Sequence, residues 1–591
     1  MQNIKRYSLM ILAVALMYFL VVLPEIAQIL AGVAILLVGM MQLSTGFKTF
    51  SGGILENILT KSTDTRLKSI VFGVVTTILM QSSTLVSVIS ISFLSAGLIT
   101  LAQGIGILFG ANLGNSAGSW LIVGLTSINI SMLAIPLIVC GVLLGFQKDS
   151  VLKGIGAIFM GIGFFFLGVD YIKVGFESYK EIVDLSRFNF EGFKGVLIFV
   201  GLGALTTGIV QSSHATLAII ISALISGQIG FENALAATLG TSVGGVVTAV
   251  IASLSTNIEG KKLAIANCIF NFTIALIVII SFPFFVKLVN IIAEFLGISA
   301  ENYALKTALF HTLFNLVAVL FISLFIRQIV YVLDKIVKAP RDRDMDAPLY
   351  LDSNIIEYPD AAIDALQKES VHLYNNAYAL IAHTIGFNRS DIRGKESFDS
   401  IVKNKKWFSG DVDLDYLYKR KIKVLFDAIM GFSTKAQGYL VEDEYRTNRI
   451  YSFKIAARNL TEATKNLKLI QANIKAYSKS KNPYLAEKYN TMRKDLGMLL
   501  RSVEELKVMK DENMQLILKQ LLAAKDMPKE FDYKNMRDVE ELISEEKISI
   551  ANGTSILNDS AFIADIASHL IEAIGIIFTK EEWQEEPSQA E

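Results

Sequence analysis

Two short polar strings stand in otherwise apolar sequence, and they are nearly the same. Residues 76–85 read TTILMQSSTL and residues 206–217 read TTGIVQSSHATL, with the QSS triplets 130 positions apart. Glycines around the strings, and the stretches GANLGNS and GTSVGGV that follow them, recur in the same order at about that offset. Such a match predicts an internal duplication. The first unit covers about residues 26–147 and the second about residues 154–286.

The chain changes character near Pro340. Residues 1–340 carry 19 Lys and Arg and 14 Asp and Glu, whereas the rest of the chain carries 36 and 41. The first part therefore has the low charge density of a membrane protein, and the second part that of a soluble one. Apolar runs of about 20 residues, enough to cross a bilayer, lie at residues 8–23, 26–46, 119–146, 151–169, 231–255, 263–286 and 303–326. We interpret the first run as a membrane span, because bulky residues stand where a signal cleavage site needs small ones.

Counting membrane crossings against basic loops gives an orientation, since cytoplasmic loops are enriched in Lys and Arg. With Lys5 and Arg6 in the cytoplasm, the basic segments stay on that side only if each QSS segment enters and leaves the membrane on one face. These segments are residues 61–68, 147–153, 259–262 and 338–344. The two units are then inverted repeats, each with a re-entrant helical hairpin, which is a transporter architecture. The N terminus and the part after Pro340 would both be cytoplasmic.

The residue types in the strings suit small ions. Polar groups at membrane depth must be buried in protein or line a watery cavity. Gln, Asn, Ser and Thr offer neutral oxygens that suit Na⁺, although K⁺ or water could be held similarly, and free N–H groups at helix starts suit an oxyanion such as phosphate or carboxylate. The spans hold almost no Lys or Arg, so a bound anion would need cotransported cations to balance its charge. The alternative is that the hydroxyls bond back to their own helices or join helices together.

In these motifs the chain resembles the type II sodium-phosphate cotransporter family. Members carry a QSSS-type motif in each of two oppositely oriented re-entrant hairpins, followed by a GANIGT-like stretch, and the resemblance covers about residues 8–335. It implies an all-α, polytopic transporter of the bacterial inner membrane that holds inorganic phosphate and Na⁺ between the hairpins, without another metal or a cofactor. It implies that the ions are bound by Gln81, Ser82, Ser83, Thr84, Asn112, Asn115, Gln211, Ser212, Ser213, His214, Thr241 and Ser242.

Two positions depart from the family pattern. The fourth QSSS position is Thr84 in the first string and His214 in the second, and Ser242 stands where the first unit has Asn112. His214 either hydrogen-bonds as a buried neutral ring or touches the substrate and makes transport depend on pH.

Further polar residues are candidates for supporting the site. They are Thr76, Thr77, Thr206, Thr207, Asn271 and Asn315. Asn271 shares a helix face with Asn267, and Asn315 shares one with His311, because each pair is four positions apart. For these two pairs, hydrogen bonds between helices are the alternative interpretation.

The sequence after about residue 348 has the pattern of amphipathic helices with few Gly or Pro, which predicts a soluble helical bundle over residues 348–591. We expect helices at about residues 357–385, 415–437, 445–477, 483–525, 537–549 and 551–579. This part resembles the PhoU-like domains fused to bacterial members of the family, which implies a regulatory or dimerising role. The acidic metal motif of those domains is not reproduced, since Asp559 and Asp565 are six positions apart. We therefore expect these two carboxylates on a solvated helix face.

Three functions are compatible with these features. A sodium-coupled phosphate transporter is favoured, a membrane phosphate sensor would bind without transporting, and a phosphate exporter or a carrier of another oxyanion could use the same fold. An enzyme is not expected, because the sequence has no Walker loop, metal cluster or catalytic constellation. The expected partners are inorganic phosphate, Na⁺ and the lipid bilayer, with a homodimer as an option and without nucleic acid.

Overall fold

The secondary structure is helical, with turns between the helices and no strand in the residues that are described. The computed structural model describes residues 17–51, 63–127, 131–180, 190–254, 256–337, 346–356, 358–404, 413–439, 443–507, 511–523 and 526–579. Over these ranges the prediction of an all-α fold is confirmed. The chain forms two compact units, Met1–Ala339 and Pro340–Glu591, which we call the membrane unit and the helical unit.

The membrane unit contains both long helices and shorter helical segments. They are α1 (Pro24–Ser51), α2 (Arg66–Met80), α3 (Ser83–Ser95), α4 (Leu101–Ser127), α5 (Ser131–Gly145), α6 (Ser150–Lys180), α7 (Gly192–Val210), α8 (Ser213–Ile225), α9 (Phe231–Ser253), α10 (Ile258–Ile280), α11 (Phe282–Phe295), α12 (Tyr303–Ile322) and α13 (Ile326–Ile336). The apolar run at residues 119–146 is shared between α4 and α5. The first predicted span, residues 8–23, lies outside the described residues except for residues 17–23, of which residues 17–22 are helical.

Seven helices in the described part of the chain are long and apolar enough to cross a bilayer. Six of them lie in the membrane unit, so the chain is a multi-pass membrane protein. The seventh, Ile550–Phe578, packs on several other helices of the helical unit, and its apolar side chains therefore face protein.

Each QSS triplet breaks a helix and starts the next one. Hairpin 1 consists of α2 and α3, and hairpin 2 consists of α7 and α8. Gln81 ends α2 at φ 50° and Gln211 ends α7 at φ 56°, in the left-handed region that residues other than glycine rarely occupy. Ser82 and Ser212 are extended, and each hydroxyl accepts the backbone N–H three residues further on, which caps the returning helix. The triplet therefore supplies the turn, the cap and the first residue of the second arm.

The packing of hairpin 1 on α4 establishes that the chain turns back. Gly106 of α4 lies beside Ser69 of α2, and Gly114 lies beside Thr77, so residue numbers rise together and the two helices run parallel. α3 joins the end of α2 to the start of α4 and must run the opposite way. With 13 residues, α3 is about 20 Å long, which is less than the roughly 30 Å of a hydrocarbon core. The QSS tip therefore lies at membrane depth.

Hairpin 2 and α9 repeat this arrangement at an offset of 130 residues. A Cβ on Gly73 would lie 2.1 Å from the carbonyl oxygen of Ile107, and a Cβ on Gly203 would lie 2.1 Å from that of Ala237. Contacts this close leave no room for a side chain, so glycine lets the first arm of each hairpin press against the following helix. The duplication read from the sequence is therefore present in the packing.

α1 and α6 are equivalent in the duplication, and they pack antiparallel. Gly32 of α1 faces Gly168 of α6, and Gly39 faces Gly161, so that a Cβ on any of the four would lie within 2.8 Å of a backbone oxygen across the contact. At the offset of 129 residues Gly32 corresponds to Gly161 and Gly39 to Gly168. The offset turns the Gly32–Gly168 contact into the Gly39–Gly161 contact. A two-fold axis therefore relates α1 to α6, and one repeat is inverted relative to the other.

The helical unit is arranged around its last helix. Its helices are α14 (Pro359–Thr384), α15 (Arg389–Arg393), α16 (Phe398–Asn404), α17 (Leu414–Leu417), α18 (Val424–Gln437), α19 (Glu444–Tyr477), α20 (Pro483–Leu506), α21 (Asp511–Ala523), α22 (Met527–Ser544) and α23 (Ile550–Phe578). α19, α20, α21 and α22 all contact α23. The predicted single helix at residues 483–525 was wrong, because this stretch contains two helices, α20 and α21, which both pack on α23.

Asp559 lies inside the helical unit and not on a solvated face, which corrects the expectation from the sequence. Its Oδ2 accepts hydrogen bonds from the Tyr489 hydroxyl at 2.6 Å and from the Asn473 amide at 2.9 Å. Burial raises the pKa of the Asp559 carboxyl. Asp565 is exposed, as expected. No group of three or more potential metal ligands among His, Cys, Asp and Glu occurs in the described ranges.

Gly39→Ala should destabilise the membrane unit, because the new Cβ would lie 2.5 Å from the backbone nitrogen of Phe165. Overpacking of this kind costs about 1–3 kcal/mol. Gly124→Ala is the matched control, since nothing lies within 4 Å of a Cβ at that position. Thermal unfolding of the full chain in detergent should give a lower midpoint for the first variant only. An equal shift in both variants would contradict the close α1–α6 contact.

Candidate functional site

The returning arms of the two hairpins begin with groups that can hold an anion. The first N–H groups of α3 and α8 have no acceptor within their own helix. Ser82 and Ser212 satisfy one such group each, at Leu85 and Ala215. The remaining N–H groups stand at the positive end of the helix dipole, where a negative charge is stabilised.

The tips of both hairpins meet on one stretch of α4. The Ser83 hydroxyl of hairpin 1 donates to Oδ1 of Asn115 at 3.3 Å. The His214 ring of hairpin 2 fills the space beside Gly118, where a Cβ would lie 1.9 Å from its Cδ2 and Nε2 atoms. Positions three apart are neighbours on a helix surface and rise by about 4.5 Å along its axis. The two motifs therefore come together within one turn of α4.

Next to hairpin 1, a set of side-chain amides links α4 to α10. Asn112 donates to Oδ1 of Asn267 at 3.3 Å, and Asn271 donates to the same oxygen at 3.0 Å. Oδ1 of Asn271 is buried and accepts no hydrogen bond from the described residues. We call Ser83, Asn112, Asn115, Asn267 and Asn271 the amide cluster.

Next to hairpin 2, two imidazoles lie at the junction of α4, α8 and α12. The Ser119 hydroxyl is 2.6 Å from Nδ1 of His311. The side chains of His214 and His311 are 2% and 0% exposed, and their Nε2 atoms have no hydrogen-bond partner in the described part of the chain. We call Ser119, His214 and His311 the imidazole cluster.

Repeat 2 has no copy of either cluster, although its backbone repeats that of repeat 1. At the 130-residue offset Ser242, Gly245 and Thr248 of α9 stand where α4 has Asn112, Asn115 and Gly118. His214 of α8 is large and packs against the small Gly118 of α4. The equivalent positions in the duplication are Thr84 of α3 and Thr248 of α9, which are both of intermediate size. The duplication is therefore broken at the residues that fill the space around the tips.

The helices that carry the two clusters hold few fixed charges. α3, α4 and α8 contain no Asp, Glu, Lys or Arg. The buried Lys262 of α10 binds Glu259 at 2.6 Å and Asp334 at 2.7 Å. The buried Lys306 of α12 donates to Asn290 and to the carbonyl of Ala300. A multivalent anion at the tips would therefore have no Lys or Arg of these elements as a partner.

The residues predicted for the site fall into three groups. Ser83, Asn112, Asn115, His214 and Asn271 belong to the clusters. The hydroxyls or amides of Thr76, Thr241 and Asn315 donate to backbone oxygens of their own helices.

The side chains of the third group lie near the tips and make no hydrogen bond to another helix within the described ranges. Gln81 donates to the carbonyl of Ile78, and its buried Oε1 has no partner among the described residues. Gln211 is exposed, Thr84 and Thr206 are half-buried, and Ser213 and Ser242 are buried. The Thr77 and Thr207 hydroxyls, at equivalent positions, are buried and have no partner in the ranges described.

Gly118 and Ser119 were not predicted, although both touch the imidazole cluster. The spacing of polar residues on α12 did identify His311, but nothing in that spacing indicated its partner on α4. The duplication offered one signal for Gly118. The 130-residue offset aligns Gly118 with Thr248 and Thr84 with His214, so the repeats differ at both of these positions.

Comparison with known proteins gives matches to the membrane unit. Residues 35–174 match the family model described as Na⁺/Pi-cotransporter. The chain is 29% identical over 279 residues to "Uncharacterized protein YqeW" of Bacillus subtilis (strain 168), which covers 46% of this chain and 85% of that protein. It is 24% identical over 337 residues to "Putative inorganic phosphate export protein YjbB" of Escherichia coli (strain K12), which covers 56% of this chain and 59% of the relative. No solved structure matches the chain.

Gly118→Thr should displace the His214 ring from α4 and lower the thermal unfolding midpoint of the purified protein. The double variant Gly118→Thr, His214→Thr recreates the residue pair found at the equivalent positions of repeat 2 and repeat 1. It should recover most of the loss, because the added volume on α4 is matched by the volume removed from α8. Additive losses in the double variant would contradict the contact between these two residues.

Proposed function

Since residues 35–174 match its model, the membrane unit belongs to the Na⁺/Pi-cotransporter family, and we propose that this protein is a Na⁺-coupled secondary transporter of inorganic phosphate. The observation that carries the proposal is the meeting of both hairpin tips on α4, at Asn115 and Gly118. Tips of inverted repeats that meet at one point form a single site, which each face of the membrane can reach in turn. Alternating access requires such a site.

Electrostatics supports coupling to a cation. Phosphate at the tips would be a multivalent anion among α3, α4 and α8, which have no Lys or Arg. Leaving that charge unbalanced inside a membrane protein is expensive. Na⁺ bound to neighbouring amide and hydroxyl oxygens would offset it, and each ion would then raise the affinity for the other.

Phosphate export is a second candidate, favoured by the name of the relative YjbB. A coupled carrier moves its substrate in the direction set by the combined gradients, so the same site is compatible with uptake and with export. The site would be common to both, and only the driving gradients would differ.

For its location we propose the inner membrane of a bacterium, with the N terminus and the helical unit in the cytoplasm, as the basic segments favour. The relatives from Bacillus subtilis and Escherichia coli are compatible with a bacterial source. We propose a PhoU-like regulatory or dimerising role for the helical unit. A chain ending at Ala339 that transports at an unchanged rate and keeps its oligomeric state would contradict that role.

Proteoliposomes should accumulate radiolabelled phosphate when Na⁺ is present outside, and should do so far less when choline replaces Na⁺. Asn115→Leu should reduce accumulation at least tenfold, because it removes the amide that binds the Ser83 hydroxyl of hairpin 1. Gly124→Ala lies on the same helix away from the tips and should transport like the unaltered chain.

Two outcomes would overturn the proposal. Binding of phosphate without accumulation under any imposed gradient would indicate a membrane sensor. Accumulation that arsenate leaves intact while sulfate or succinate abolishes it would indicate a carrier of another anion. Phosphate leaving loaded vesicles in response to Na⁺ on the inside would show that the carrier also operates as an exporter.

A further inference from the structure

We propose that the two clusters on α4 divide the ions between them, with Na⁺ bound by the amide cluster and phosphate bound by the imidazole cluster. The inference rests on the proposed function and adds to it a separate subsite for each ion. It assigns substrate contact to His311, which Ser119 positions, and Na⁺ contact to Asn271, whose amide Asn267 holds.

The amide cluster contains one buried oxygen that lacks a donor, and Gln81 of hairpin 1 contributes a second. Oδ1 of Asn267 already accepts from Asn112 and Asn271. Among the described residues, Oδ1 of Asn271 is buried with no partner, and so is Oε1 of Gln81, two residues before Ser83. A buried acceptor without a donor is unfavourable until something positive approaches it. Neutral oxygens from amides and hydroxyls are the ligands that Na⁺ takes at broken helices.

The imidazole cluster contains ring nitrogens that are donors in one of the two neutral tautomers. When the Ser119 hydroxyl donates to Nδ1 of His311, the neutral ring carries its proton on Nε2. That Nε2 is buried without an acceptor in the described residues, and so is Nε2 of His214. The first N–H groups of α8 stand beside His214 at the positive end of the helix dipole. No carboxylate lies on α4 or α8 to repel an anion.

The spacing of the clusters suits a bound ion pair. Asn115 and Gly118 are about 4.5 Å apart along the helix axis. Asn112 lies three positions before Asn115 and Ser119 four positions after it, so both are neighbours of Asn115 on the helix surface. Na⁺ at the amides would therefore lie next to a phosphate oxygen at the imidazoles. Direct attraction between neighbours accounts for coupling without a fixed Lys or Arg.

The two repeats differ at the residues around the tips. This difference favours two different subsites rather than two copies of the same site. In repeat 2 the equivalent of Asn115 is Gly245, and the equivalent of Asn112 is Ser242. Ser213 then faces Gly245 with no amide to bind. In repeat 1 the equivalent of His214 is Thr84, which has no ring nitrogen. The equivalent positions at the two tips therefore carry different ligand types.

The test measures Na⁺ and phosphate binding separately in the full-length protein. The variants are His311→Phe, which keeps a ring without nitrogen, and Asn271→Leu, which keeps the volume without the amide. In thermal-shift titrations, His311→Phe should lose the stabilisation by inorganic phosphate at saturating Na⁺ and keep the stabilisation by Na⁺ alone. Asn271→Leu should lose the stabilisation by Na⁺ alone. His311→Gln retains a donor and should bind phosphate within about threefold of the unaltered chain.

Transport gives a second readout of the same division. At saturating Na⁺, His311→Phe should raise the phosphate KM at least tenfold, whereas at saturating phosphate its half-saturating Na⁺ concentration should change less than twofold. Asn271→Leu should show the converse, and Gly124→Ala should change neither value. Equal effects of each variant on both ions would overturn the division and indicate one shared site. Binding that divides as expected in a protein that accumulates no phosphate would instead overturn the transport proposal and leave the two subsites standing.

Discussion

The membrane unit depends on covering two breaks in its helices. At Gln81 and Gln211 the backbone leaves the helical conformation at membrane depth, and lipid cannot satisfy the N–H and carbonyl groups that are released. A Ser cap satisfies one N–H at each break, and close packing of α2 on α4 and of α7 on α9 shields the rest. Glycine makes that packing close enough, since Gly73 and Gly203 touch backbone where a side chain would stand. The hairpins, the glycine rows and the small residues after each triplet follow from this one requirement.

The inverted duplication explains why the site lies where it does. The contact between the four glycines of α1 and α6 relates the two repeats by a two-fold axis. Because the repeats are inverted, their hairpins reach the same stretch of α4 from opposite directions. A perfectly symmetric pair of tips would bind two copies of one ligand. The substitutions at Thr84 and His214, and at Gly118 and Thr248, fill the two halves differently. Amide oxygens accumulate on one side and imidazole nitrogens on the other, which suits a site for ions of opposite charge.

Much of this organisation could be read from the sequence. The two QSS triplets predicted the hairpins, because the same residue types recur where the same backbone turn is needed. The basic loops predicted the direction of the repeats. The helices of the helical unit were predicted where apolar spacing was regular, as in α19. The division of residues 483–525 into α20 and α21 was not predicted. Asp559 was expected in solvent and lies buried, because its partners Tyr489 and Asn473 come from other helices. Spacing along one helix carries no information about such partners.

From the sequence it was possible to predict the all-helical membrane architecture, the position of both breaks and most of the candidate site residues. These are local or periodic properties, set by hydropathy, by the conformation that each residue type tolerates and by repetition. The tertiary structure alone decided which candidates meet. Ser83 and Asn115 are 32 positions apart, and Ser119 and His311 are 192 apart. Contacts across such separations depend on how the glycine-lined helices pack. Gly118 belongs to the candidate site because the His214 ring of another helix lies beside it.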